Sequence, residues 1–204
     1  MKLLKFRAGI GFYLFIILFP ILSYMLAYLV SAILFDGDLT FSVSAGLLSI
    51  PFWFLVALPF GPMGEELGWR GFMLPKLLEK FSVVKSTILI GLAWGIWHLV
   101  SFTFPGAAIP SFLPVNLWTI LLYFLYTISI SFVFTYAHLK SGGSVWIAIL
   151  LHAFYNAGSN IAFEFFAETE SFNILFSAYV LNIVLAITVG YYLLARSRDR
   201  FPAY

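Results

Sequence analysis

Gly64-Glu65-Glu66-Leu67-Gly68-Trp69-Arg70-Gly71-Phe72 places three charged residues among glycines and apolar or aromatic side chains. In a water-soluble protein such a string is a solvated helical turn. Here it interrupts a chain of 204 residues that is 62% hydrophobic and only 10% charged, with a mean hydropathy of +1.00. Soluble domains carry about 25% charged residues, so this chain lacks the polar groups to cover a water-facing surface. Its solvent is lipid, and the few charges must be explained within or beside a membrane.

Outward from this string, six apolar stretches are long enough to span, at roughly 8–35, 41–60, 85–104, 116–138, 145–166 and 172–195. Each approaches the 20 or so residues that a spanning helix needs. The intervening Pro62–Phe81 segment is less apolar and reads as a short motif-bearing helix at the cytoplasmic boundary that can dip into the bilayer. The charge-free run from Ala8 to Phe35 exceeds a signal-peptide core, so the first span is expected to be retained. Lys2, Lys5, Arg7, Arg70, Lys76, Lys80, Lys85, Lys140, Arg196, Arg198 and Arg200 all fall on one side of this arrangement. Short-loop Lys/Arg bias then puts both termini in the cytoplasm. Asp36, Asp38, Glu164, Glu168 and Glu170 fall on the opposite side. A single all-α transmembrane domain over 1–204 is expected, with its motif core at about 60–160. The net charge of +2 gives no sign of nucleic acid, and the absence of cysteine excludes thiol catalysis and thiolate metal sites.

Three polar clusters remain inside this apolar chain. In the first, Glu65 and Glu66 project about 100° apart on a helix and cannot share one environment. Glu66 and Arg70 are one turn apart and suited to an ion pair, which leaves Glu65 free to face elsewhere. In the second, Gly91-x-x-x-Gly95 allows close approach of another helix, and His98 lies one turn further along that stripe. In the third, His152 and Asn156 share a face, extended by Ser159 or Asn160. A lone buried histidine is ordinarily a packing residue, but here a carboxylate, two imidazoles and an amide come from three helices. His138, close to Lys140, reads as solvated and without a special role.

In this order, Glu65-Glu66-x-x-x-Arg70, Trp94-x-x-x-His98 and His152-x-x-x-Asn156 resemble the motifs of the CPBP family over about residues 60–160. These are the CAAX-protease and bacteriocin-processing intramembrane endopeptidases, also called the Abi or type II CAAX prenyl protease family. Trp94 stands where the family pattern usually has phenylalanine, a larger ring in the same place. The resemblance implies a helical bundle with a conical cavity open to the cytoplasm or the bilayer. It also implies that Glu65 is the general base for a water shared with His98. His152 and Asn156 would stabilise the oxyanion, with Glu66 and Arg70 supporting the first motif. The short chain is similar to prokaryotic members in a plasma membrane, where peptide maturation or bacteriocin self-immunity is expected over prenyl-protein processing.

Peptide hydrolysis needs a base for water and donors aimed at the developing oxyanion, and these residue types supply both. Glu65, His98 and His152 also form a two-histidine, one-carboxylate set that suits catalytic zinc. No His-Glu-x-x-His helix is present, and Asn156 beside His152 fits an oxyanion role, which favours glutamate chemistry without a cofactor. The expected partners are a membrane-tethered or lipidated peptide and the bilayer. A transporter would distribute polar groups through the full membrane depth, whereas the outer half of this chain is almost wholly apolar. A non-catalytic binding protein on the same scaffold stays open, as does oligomeric state, because Gly91 and Gly95 serve contacts within one chain equally well.

Overall fold

The computed structural model describes residues 9–35, 37, 42–103, 114–166 and 172–196. All regular structure among them is helical: α1 (Ile10–Leu34), α2 (Val43–Ala57), α3 (Pro62–Gly68), a π-helical turn (Trp69–Met73) and α4 (Leu74–Leu78). These are followed by α5 (Val83–Trp97), a 3-10 turn (His98–Thr103), α6 (Leu117–Lys140), α7 (Val145–Phe165) and α8 (Phe172–Arg196). Five helical segments are long and apolar enough to cross a membrane alone: α1, α5 with the start of its 3-10 turn, α6, α7 and α8. A sixth span results if the stretches Gly46–Ala57 and Pro62–Leu78, bent by 55°, are counted as one. The all-α polytopic bundle expected from hydropathy is therefore present. Lys2, Lys5, Arg7, Asp36, Asp38, Glu168, Glu170, Arg198 and Arg200 lie outside the described residues.

Local chemistry sets the helix starts. Ser82, Asn116 and Ser144 cap α5, α6 and α7, their side-chain oxygens accepting from the backbone N–H groups of Lys85, Thr119 and Ile147. The 55° bend falls where Gly61 takes φ +102°, a left-handed conformation that glycine tolerates, followed by Pro62 at the start of α3. Gly142 and Gly143, at φ +70° and +87°, turn the chain between α6 and α7. That tight reversal makes α6 and α7 antiparallel neighbours.

Helix α7 is the axis of the bundle: 72% of its hydrophobic window is buried, against 33–50% for the other single spans. Residues from α1, α2, α3 and α6 pack around it. Where helices approach most closely, glycine is required. A Cβ on Gly91 would lie 2.5 Å from the Ile128 backbone of α6, and one on Gly95 would meet the Phe124 ring at 2.7 Å. The small-residue stripe expected on α5 is thus an intrachain contact with α6. Gly190 of α8 meets α6 one turn further along, at Phe132 and Val133.

Two sequence expectations need correction. Arg70 is fully buried, so it is a core group and not one of the loop charges that set orientation. His138 is only 3% exposed despite its closeness to Lys140, because its face of α6 turns inward. Its carbonyl accepts from the Ser141 hydroxyl and from Gly143 N–H, so the residue helps to close the α6–α7 turn.

The glycine contacts give a direct test. Gly91→Ala forces α5 and α6 apart and is expected to lower stability by about 1–3 kcal/mol, the usual cost of overpacking. Gly11→Ala on α1, with no atom within 4 Å of the added carbon, should leave stability unchanged or slightly raised. Thermal unfolding of both variants in one detergent checks the contrast.

Candidate active site

The path α3–π turn–α4 and helix α5 run as two legs joined at the short Glu79–Ser82 link. At about 1.5 Å per residue, Glu65 lies roughly 20 Å from the Leu78 end and His98 roughly 22 Å from Val83. The two legs therefore deliver Glu65 and His98 to the same depth. His98 Nε2 is 3.8 Å from Glu65 Oε1, and both side chains are slightly accessible, at 17% and 16%.

The partners of each group fix its chemistry. His98 ends α5, and its Nδ1 lies 3.0 Å from the Trp94 carbonyl oxygen, which also accepts from the His98 backbone N–H. A carbonyl only accepts, so Nδ1 carries the hydrogen and a neutral ring presents Nε2 as a lone pair. That lone pair faces a carboxylate oxygen across a gap wider than a hydrogen bond. The other oxygen of Glu65 accepts from Trp69 Nε1 at 3.3 Å, which orients the carboxylate from the next turn.

Glu66 has the opposite environment. It is 0% exposed and paired to the equally buried Arg70, whose Nη1 is 3.0 and 3.2 Å from the two carboxylate oxygens. Arg70 Nη2 donates to Ser131 Oγ of α6 at 3.3 Å. The guanidinium also lies over two rings, Phe134 at 4.8 Å and Trp94 at 5.1 Å. From α7, His152 Nδ1 reaches Glu66 Oε1 at 2.8 Å. The adjacent carboxylates thus face two environments: Glu65 a slightly accessible position beside His98, Glu66 a closed cluster with Arg70 and His152.

Trp94 joins the two halves. Its ring centroid lies 6.2 Å from that of His98 and 5.0 Å from that of His152. It is buried, with its indole N–H unpartnered among the described residues. Asn156 lies one turn beyond His152 on α7 with an exposed side chain; its carbonyl accepts from Asn160 Nδ2 at 3.5 Å. The Ser159–Asn160 extension of the stripe brings no further side chain to Glu65 or His98 by any hydrogen bond found among the described residues. The suggested zinc donors divide between clusters: Glu65 faces His98, while His152 bonds Glu66. Among the described residues no three His, Asp or Glu side chains gather closely enough to hold a metal ion.

Sequence reasoning missed Trp69, Ser131 and Phe134, the residues that orient Glu65 and enclose Arg70. A serine and a phenylalanine within an apolar span carry no signal until their face is known. Trp69 was legible in principle, because it is one turn from Glu65.

The family model for type II CAAX prenyl endopeptidase Rce1-like proteins matches residues 47–158, a range that holds every residue of this cluster. The chain is also similar to CAAX prenyl protease 2 of Methanococcus maripaludis, at 28% identity over 158 residues. That alignment covers 78% of this chain and 55% of the relative, so the chain spans about half the length of the curated protein it matches.

Arg70→Met leaves the Glu66 carboxylate buried with only His152 to balance it. Removing one partner of a buried pair costs about 3–5 kcal/mol. A large fall in thermal stability is expected, partly recovered in the double variant Glu66→Gln/Arg70→Met, which removes both charges. Unfolding of the single and double variants in the same detergent measures this.

Proposed function

This chain belongs to the type II CAAX prenyl endopeptidase Rce1-like family, and we propose accordingly that it is an intramembrane endopeptidase acting through a glutamate-activated water. The observation that carries the mechanism is the Glu65–His98 pair, a carboxylate oxygen and an imidazole nitrogen facing each other 3.8 Å apart. A water molecule between them donates one hydrogen to each, and its oxygen is then held with a lone pair free for attack. Glu65 takes the proton as the water oxygen bonds to the peptide carbonyl carbon, and later delivers it to the departing amine. Asn156, exposed one turn from His152, supplies an amide donor for the oxyanion. His152 contributes once protonated, when its Nε2 also becomes a donor beside Glu66.

Donor geometry supports a reaction without metal. The three groups that zinc would need are divided between two separate pairings. Metal analysis of purified, active protein checks this: activity should persist after chelation, and stoichiometric zinc lost together with activity would overturn it.

The substrate class proposed is a membrane-associated peptide carrying a prenylated cysteine, since the matched family is named for such substrates. Bacteriocin-type precursors are the second reading. Both termini are assigned to the cytoplasm, and Glu65 and His98 lie about 20 Å from that face, within the bilayer. In support, Lys76, Lys80, Lys85, Lys140 and Arg196 are exposed near the ends of α4, α5, α6 and α8 that this topology turns to one side.

Glu65→Gln keeps the size of the side chain and removes the base. Cleavage of a panel of farnesylated CAAX peptides in liposomes should fall by about 10²–10⁴-fold, the range for a lost general base, with the melting temperature unchanged. Equal rates for this variant and the wild-type chain would refute the assignment of Glu65.

A further inference from the structure

Behind His98, five tyrosines from four helices form a wall through the bundle: Tyr24 of α1, Tyr123 and Tyr126 of α6, Tyr155 of α7 and Tyr179 of α8. All are buried except Tyr126, which is partly so. Tyr24 and Tyr126 share a hydroxyl–hydroxyl hydrogen bond at 3.1 Å, and Tyr155 donates to Asn182, which in turn donates to Ser23. The Tyr179 hydroxyl is enclosed without a partner among the described residues. Tyr123 differs from all of these. Its ring stands edge-to-face with His98 at 5.7 Å and with Phe102 at 5.3 Å. Its hydroxyl makes no hydrogen bond to a described residue and is not among the fully enclosed unpartnered atoms. Glu65 is within electrostatic reach of it.

A tyrosine hydroxyl in a mostly buried site normally finds a partner. This one sits on a buried ring packed against His98, with no hydrogen-bond partner for its hydroxyl among the described residues. A donor is also what the site needs. Until His152 gains a second proton, its Nδ1 donates to Glu66 and its Nε2 offers only a lone pair, so a tyrosine hydroxyl would supply a donor that does not depend on that proton. We propose that Tyr123 is a catalytic residue whose hydroxyl donates a hydrogen bond to the carbonyl oxygen of the scissile peptide as it becomes the oxyanion. The hydroxyl keeps its own proton throughout. The water oxygen bonds to carbon, its proton passes to Glu65 and then to the amine, and Tyr123 with Asn156 holds the negative oxygen in between.

This inference rests on the hydrolase reading above, and the experiment separates the two. Tyr123→Phe, Tyr126→Phe and Glu65→Gln are compared with wild type on whichever farnesylated CAAX peptide or bacteriocin-type precursor the wild type cleaves, with kcat, KM and melting temperature recorded. Loss of a pre-organised oxyanion donor acts on kcat. Tyr123→Phe should lower kcat by about 10²-fold, with KM and melting temperature unchanged and Tyr126→Phe behaving as wild type. Full kcat in Tyr123→Phe overturns the proposal. So does a loss matched by Tyr126→Phe, or one that follows a fall in melting temperature, since either marks a packing effect. If Glu65→Gln stays active, or the wild type cleaves neither a farnesylated CAAX peptide nor a bacteriocin-type precursor, the hydrolase reading itself fails and Tyr123 loses its role with it.

Discussion

A guanidinium and a carboxylate buried together in an apolar bundle constrain everything around them. Glu66 and Arg70 are both wholly enclosed, where an unpaired charge would be prohibitively unfavourable. The pair therefore has to find its remaining partners within the protein, and it takes them from every direction. Ser131 and Phe134 come from α6, Trp94 from α5 and His152 from α7. Four segments distant in sequence are thereby fixed around one charge cluster. In membranes, where burying apolar area gives little drive for helices to associate, such a polar anchor specifies which faces meet.

That anchor also explains how two neighbouring glutamates come to serve different ends. Satisfying Glu66 on the inner face of α3 turns Glu65 onto the adjacent face, toward His98 at the end of α5. The scaffold then completes the alignment with short-range bonds: a tryptophan N–H on one oxygen of Glu65, and a helix-end carbonyl that fixes the tautomer of His98. Neither bond is strong alone. Both act on groups whose backbones are already placed, so little entropy is lost in making them.

The spans were legible because lipid imposes a length and a composition on each one. The Glu66–Arg70 pair was legible because i and i+4 on a helix are neighbours whatever the tertiary fold. The Gly91–Gly95 stripe told of a close approach but not its partner, which is α6 of the same chain. What failed were inferences that needed the rotation of a helix about its axis. His138 was read as solvated from its closeness to Lys140, yet two residues along a helix point to nearly opposite faces. Contacts such as Glu66–His152 join residues 86 apart, and a single sequence holds no signal for that distance. The two histidines and the carboxylates were recognised as a group; their division into two pairs was not.

The wide turn at Trp69–Met73 carries a mechanical implication. A π turn is in effect one residue spliced into an α-helix, and each residue advances the helix by about 100°. The splice lies between α4 and the motif on α3, so it acts as an indexing washer for the upstream rod. Trimming that single residue would leave the helix length almost unaltered while swinging the whole upstream turn around its axis. Glu65 would then look at a neighbouring helix, and the carboxylate would be lost to His98 without any side chain having been replaced.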